Sequence, residues 1–176
     1  MSRKPAKSPR RSKKSRNWLL VVLTVLILLA MRRGWRRRQE RTAGVVGELP
    51  VPPAELGQQR TPALEGVYVG TTLAREWLER VAGLGLGDRA RGTAQLFDAG
   101  LVLVRQGTTD LYIPLDRIDA VRFDRGVAGK IGGPERLVVV TWRLEVPVDT
   151  GILLRHPEQA RDLVAAIAAA TGKEAG

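Results

Sequence analysis

The chain has 176 residues, no cysteine and one histidine, with 29 Lys and Arg against 18 Asp and Glu for a net charge of +11. Without cysteine there is no disulfide, no thiol chemistry and no Cys-ligated metal, an absence that fits a cytoplasmic domain. The charge is segregated: residues 1–41 hold 14 basic side chains and one acid, Glu40, while residues 42–176 hold 15 basic and 17 acidic ones.

Residues 1–16 (MSRKPAKSPRRSKKSR) are polar and basic with no apolar face, and are expected to be a disordered tail. Trp18 to Met31 (WLLVVLTVLILLAM) is apolar except for Thr24. As a helix those fourteen residues rise about 21 Å, short of a hydrocarbon core of about 30 Å. Counting from Asn17 through Trp35 reaches about 28 Å if Arg32 and Arg33 extend their charges outward. Trp18 and Trp35 then sit at the two interfaces, and Arg36, Arg37 and Arg38 among anionic headgroups.

The expectation is a transmembrane helix over 17–35 in a single-pass protein of the cell membrane. A buried soluble helix conflicts with the basic residues crowding both ends. A cleaved signal peptide has an apolar stretch of similar length, but RRGWRRR (32–38) is a poor cleavage site and a good stop-transfer signal. Both flanks are positive, so the positive-inside rule is divided; the dense cluster after the helix favours a cytoplasmic domain, the basic N-terminus the reverse.

The basic residues that raise the pI flank this apolar run and lack interleaved aromatics, so nucleic acid is not the expected partner. Residues 36–63 read as a basic juxtamembrane segment and a Pro/Gly-rich linker, stiffened by Pro50, Pro52 and Pro53. A folded domain is expected over 64–176, long enough to bury its own core.

Within that domain GVYVGTTL (66–73) reads as a strand. REWLERVAG (75–83) reads as a short helix with Trp77, Leu78 and Val81 on one face and a stop at Gly83. ARGTAQLF (90–97) and LVLVRQ (101–106) form a hairpin about Asp98–Ala99–Gly100. LYIPL (111–115) is a strand that Pro114 confines to an edge or a strand end. IDAVRFD (118–124), RLVVVTWR (136–143) and one or two short strands in 144–156 follow. Pro157 at the first helical position, Glu158 near the N-terminal dipole and Gly172 at the stop frame a C-terminal helix. Its apolar stripe is Ala160, Leu163, Val164, Ile167 and Thr171. Several antiparallel strands and one amphipathic helix make a mostly β fold, a small barrel or sandwich with the helix over one opening.

That order of elements resembles the pleckstrin-homology (PH) superfold. YIPLDRIDAVRF (112–123) looks like the strand–turn–strand of bacterial PH-like domains. GWRRRQERT (34–42), GVYVGTT (66–72), EWLERVAGLGLGDRARG (76–92), RFDRGVAGKIGG (122–133), VVVTWR (138–143) and DTGILLRH (149–156) are similar to a family of actinobacterial single-pass membrane proteins bearing such a domain. The resemblance implies a short extracytoplasmic N-terminus and a cytoplasmic domain; the long basic N-terminus here departs from that pattern. It implies no defined activity.

Catalysis is poorly supplied. His156 borders the last helix with no second His or Cys for a metal site, and every serine lies in the N-terminal tail. Asp110, Asp116, Asp119 and Asp124 are spaced like turn and surface positions. No enzyme activity, metal or cofactor is expected. GVAGKIGG (126–133) lacks the P-loop spacing and hydroxyl residue. It reads either as a flexible hairpin loop or as a ligand- or partner-binding rim. In the second reading Gly126, Gly129, Gly132 and Gly133 admit an anion to backbone N–H groups, and Arg122, Arg125 and Lys130 add charge. The expected function is a membrane-tethered, non-catalytic binding or scaffolding module recognising a protein or lipid partner. The alternative is an accessory subunit of a membrane transport or export complex, which would require a multi-helix partner.

Overall fold

The computed structural model describes residues 13–74, 80–124 and 137–173, with backbone alone for 13–17, 35–43 and Val45. Two compact units divide the chain, Met1–Arg38 and Gln39–Gly176. A helix, α1, runs Lys13–Val46 over 34 residues, with residues 13–38 counted in the first unit and 39–46 in the second. Lys13–Arg16, expected in a disordered tail, belong to it, and so do residues 36–46, expected as juxtamembrane segment and linker. Arg, Gln, Glu and Lys are good helix formers, and a lone Gly34 does not stop them. Among the described residues no helix is long and apolar enough to cross a membrane. The apolar run, Trp18–Met31, is interrupted by charge after about 21 Å.

The second unit is a seven-stranded antiparallel sheet: β1 Leu64–Leu73, β2 Ala90–Leu96, β3 Gly100–Arg105, β4 Leu111–Pro114, β5 Ile118–Asp124, β6 Leu137–Arg143 and β7 Pro147–Leu154. The strand order is β4-β3-β2-β1-β7-β6-β5, so the sheet is open, with β4 and β5 at its edges. Pro114, which cannot donate to a ladder, duly ends an edge strand. A two-residue turn, Asp98–Ala99, joins β2 to β3, closed by reciprocal bonds between Phe97 and Gly100.

The inward residues of the sheet (Leu96, Leu101, Ile113, Ile118, Val140, Trp142 and Leu154 among them) form one core. Over it lies α2, Pro157–Thr171, with Pro157 in its first turn and Gly172 left-handed at φ 67° after its last. Its buried side chains are Ala160, Leu163, Val164 and Ile167, four of the five residues of the stripe its spacing predicts; the fifth, Thr171, is half-buried.

Two stretches differ from the sequence reading. Residues 80–83 are not helical: Arg80 bridges Thr72, and the Val81 N–H bonds to the Thr71 carbonyl at 2.9 Å, so the chain returns along β1. Residues 75–79, with Trp77 and Leu78, lie outside the described residues. The linker is also shorter than its composition suggests. Val46 is fully buried in the core with Leu49 packed beside it. Residues 56–61 are latched onto the β2–β3 turn. There Asp98 accepts bonds from the Gln58 N–H at 2.8 Å and the Arg60 guanidinium at 2.7 Å. Those two donors hold the Asp98 carboxyl below its ordinary value.

Candidate functional site

Alternation along β3 sets Leu101, Leu103 and Arg105 on the same, inward side. Arg105 is therefore carried into the sheet's interior and is only 3% exposed. Its guanidinium stacks over the Tyr68 ring, 4.6 Å from the centroid. Nη1 donates to the Gly85 carbonyl at 2.7 Å, and Nε and Nη2 donate to the Thr109 carbonyl. The Asp110 carboxylate takes the Arg105 backbone N–H at 2.9 Å. Burial lowers the Arg105 pKa, opposed by the negative charge available at Tyr68 and Asp110.

These bonds tie together two connections at one end of the sheet, the β1–β2 segment through Gly85 and the β3–β4 segment through Thr109. The first contains a tight turn, Gly83–Leu86, closed by the Leu86 N–H on the Gly83 carbonyl at 3.1 Å. Its two central residues both have positive φ, Leu84 at 59° and Gly85 at 67°. Such a turn suits glycine or asparagine, not leucine.

Beneath the turn runs a buried chain of hydrogen bonds whose direction is fixed by its ends. The Trp142 indole can only donate, and does so to Thr150 Oγ1 at 2.8 Å. At the other end the Tyr68 hydroxyl donates to the Leu86 carbonyl at 2.7 Å. Tyr68 must then accept from Thr71, 2.7 Å away, and Thr71 from Thr150, 2.8 Å away. Every hydroxyl in the series donates once and accepts once, which permits its complete burial.

Burial pushes the Tyr68 phenol up to about 12 from 10.0. A phenol whose folded pKa lies above its unfolded one contributes stability that is intact below pH 10 and is lost as pH rises from 10 to 12. We expect the urea midpoint to fall through that window, with roughly 2–3 kcal/mol at stake. Burial, with Asp116 nearby, also raises Tyr112, the only other tyrosine. Phenolate absorbance in the folded chain should therefore appear at higher pH than in the urea-unfolded chain; coincident titrations would contradict the assignment.

Of the loop singled out by sequence, only Arg122 lies within the described residues; Arg125, Gly126, Gly129, Lys130, Gly132 and Gly133 lie outside them. Arg122 sits on the outer face of β5, its Nη2 2.8 Å from Asp149 and its Nη1 2.8 Å from the Thr141 hydroxyl. Thr141 in turn donates to Asp149 at 2.5 Å. This closed triad ties β5 to β6 and β7, so Arg122 is engaged in the sheet. Arg122→Ala should cost about 1–2 kcal/mol in urea unfolding, and an unchanged midpoint would remove the triad from the account.

Trp18 is 67% exposed, and Arg32 and Arg33 are exposed; the side chains of Trp35, Arg36, Arg37 and Arg38 are outside the description. His156 takes the N-cap position of α2 through its backbone, without a side-chain cap, its Nδ1 3.7 Å from Glu158. Asp119 pairs with Arg143 at 3.2 Å and Lys173 at 3.4 Å. Among the described residues no group of His, Asp and Glu converges as metal ligands. The sequence reading missed Arg105 and the polar chain. The shared parity of Leu101, Leu103 and Arg105 could have disclosed the first; the second joins residues too far apart in sequence.

A family profile described as bacterial PH domain-like matches residues 46–168. No curated protein matches the chain. Among solved structures the chain is similar to Vav1 bound by an allosteric inhibitor that blocks its GEF activity, and to the apo form of an activated truncation of Vav1. Each is 13% identical with a TM-score of 0.44 over 81% of this chain. The chain spans about a third of those proteins, 34% and 33% respectively. At that identity and TM-score the likeness bears on neither ligand nor activity.

Proposed function

The chain belongs to the bacterial PH domain-like family, whose domains are typically non-catalytic binding modules, and from that premise we propose that it is a membrane-tethered module of this kind. The observation that carries the tether is the stretch Trp18–Met31. It is apolar all round, and its large side chains are exposed along its length, from Trp18 at 67% to Val25 at 48%. A helix apolar on every side is suited to lipid or to burial, not to water. Its one polar side chain, Thr24, donates its hydroxyl back to the Leu20 carbonyl at 2.8 Å and presents no unsatisfied donor. Arg32 and Arg33 extend the span by reaching for the headgroups, and the neighbouring arginines hold anionic lipid. Over residues 42–176 as a whole the charge is near balance, 15 basic side chains against 17 acidic ones. Its location is the cell membrane with the domain on the cytoplasmic side, on the strength of RRGWRRR.

The partner is a protein or a lipid, with the glycine-rich 126–133 loop, Arg125 and Lys130 as one candidate contact. Tethering raises the effective concentration of the module at the bilayer, so weak contacts suffice. Cross-linking followed by purification in mild detergent tests the reading. A peripheral protein or a defined lipid captured through the domain is the expected result. A stoichiometric multi-helix partner would instead make the chain an accessory subunit of a transport or export complex. Protease digestion of intact cells and inverted vesicles should cut the domain only in the latter.

A further inference from the structure

We propose that the Gly83–Leu86 turn is the domain's own contact with the bilayer, and that Leu84 is the side chain that enters it; this rests on the reading of residues 18–31 as an anchor. Leu84 is the one non-glycine residue with positive φ among the described residues, at 59°. A leucine in that conformation is strained, and such strain persists only where its surroundings over-determine it.

Here they do. Arg105 holds the Gly85 carbonyl, while Tyr68 and the Thr71 N–H both hold the Leu86 carbonyl. Val81 and Leu86 on either side are fully buried. The turn is thus fastened from below while Leu84, at its tip, stays 41% exposed. Core packing does not use this side chain, and its backbone would be more relaxed as glycine or asparagine. A rigid convex tip with one large apolar side chain fits a surface that yields to it.

Two observations select the bilayer. Arg80, Arg89 and Arg91, all exposed, lie in the same connection and the strand it enters, against Asp88 and, across the rim, Asp110. Arginines beside a shallowly inserted leucine are placed to meet headgroup phosphates. The tether is also short. Val46 already belongs to the domain core, and fourteen residues, 32–45, lie between it and Met31. Even fully extended they span no more than about 54 Å, so an anchored helix keeps the domain beside the membrane.

The absence of cysteine allows a clean test. Full-length Leu84→Cys and, as control, Glu65→Cys at the start of β1 are labelled with an environment-sensitive fluorophore. Both are reconstituted in phosphatidylcholine vesicles containing phosphatidylglycerol. Spin-labelled lipids place a quencher at the depth of about 5–10 Å that interfacial side chains reach. The expected result is blue-shifted, quenched emission at 84 and neither effect at 65. Asp88→Cys labelled in a Leu84→Asn background, which relaxes the turn and keeps the fold, should lose the shift that the same label shows beside Leu84. A chain that floats with the vesicles but gives equal signals at 84 and 65 overturns this inference alone. A signal at 84 that persists in detergent without lipid and grows with protein concentration assigns the tip to a second copy and also overturns it. A chain that fails to float overturns the anchor and the inference together.

Discussion

A chain that begins at Leu64 should be far less stable than one that begins at Gln39, although both retain all seven strands and α2. The residues between them carry Val46, fully buried, and Leu49, packed on the same core. They also carry Thr61, whose hydroxyl accepts the buried Leu96 N–H at 3.0 Å. Losing a buried valine costs about 1.5–3 kcal/mol, and leaving a buried N–H without an acceptor about 1–3 kcal/mol. With the Asp98 latch removed as well, a combined loss on the order of 4 kcal/mol is expected, a large share of the roughly 5–15 kcal/mol that holds an ordinary domain. Urea unfolding of the two chains gives the difference directly. Equal midpoints would mean that residues 46–61 lie on the domain without contributing to it.

Thr150→Val should be the most damaging near-isosteric substitution in the core. Valine keeps the volume but removes the oxygen that accepts from Trp142 and the proton that Thr150 gives to Thr71. The indole N–H and the Thr71 hydroxyl oxygen are then both buried short of a partner, because all three residues are fully buried. We expect a loss of about 3 kcal/mol in urea unfolding. Thr150→Ser keeps both bonds and should lose only the methyl contact, about 1 kcal/mol. The contrast is the informative quantity: if valine were tolerated as well as serine, the directed chain from Trp142 to Leu86 would contribute nothing to stability. The same chain ends on the turn that presents Leu84, so its rupture should also loosen the rim.

Where a single element determines its own pattern, the fold was readable from sequence. The stripe of α2 follows from 3.6-residue spacing, and its ends from Pro157 and Gly172. The β2–β3 turn follows from Asp98–Ala99–Gly100 between two alternating runs, and the edge position of β4 from Pro114.

What was not readable depends on contacts between distant segments. Val81 is apolar at a spacing that suits a helix with Trp77 and Leu78, but its N–H is bonded to the Thr71 carbonyl and it is not helical. Prolines and glycines in 42–63 do mark irregular chain. They say nothing of whether that chain is free, and Asp98 and the core claim it at Gln58, Arg60 and Val46. Arg122 was legible as a charge beside a glycine-rich run, but not as a partner of Asp149 twenty-seven residues on.

Trp18–Met31 is expected to lodge the chain in a bilayer despite falling short of its full thickness. Cells expressing the full-length chain should be lysed without detergent, their membranes washed with alkaline carbonate and floated through a density gradient. The chain should rise with the lipid and leave it only when detergent is added, while one lacking residues 18–31 remains in the dense aqueous layer. Intact full-length chain found in that aqueous layer would contradict the account.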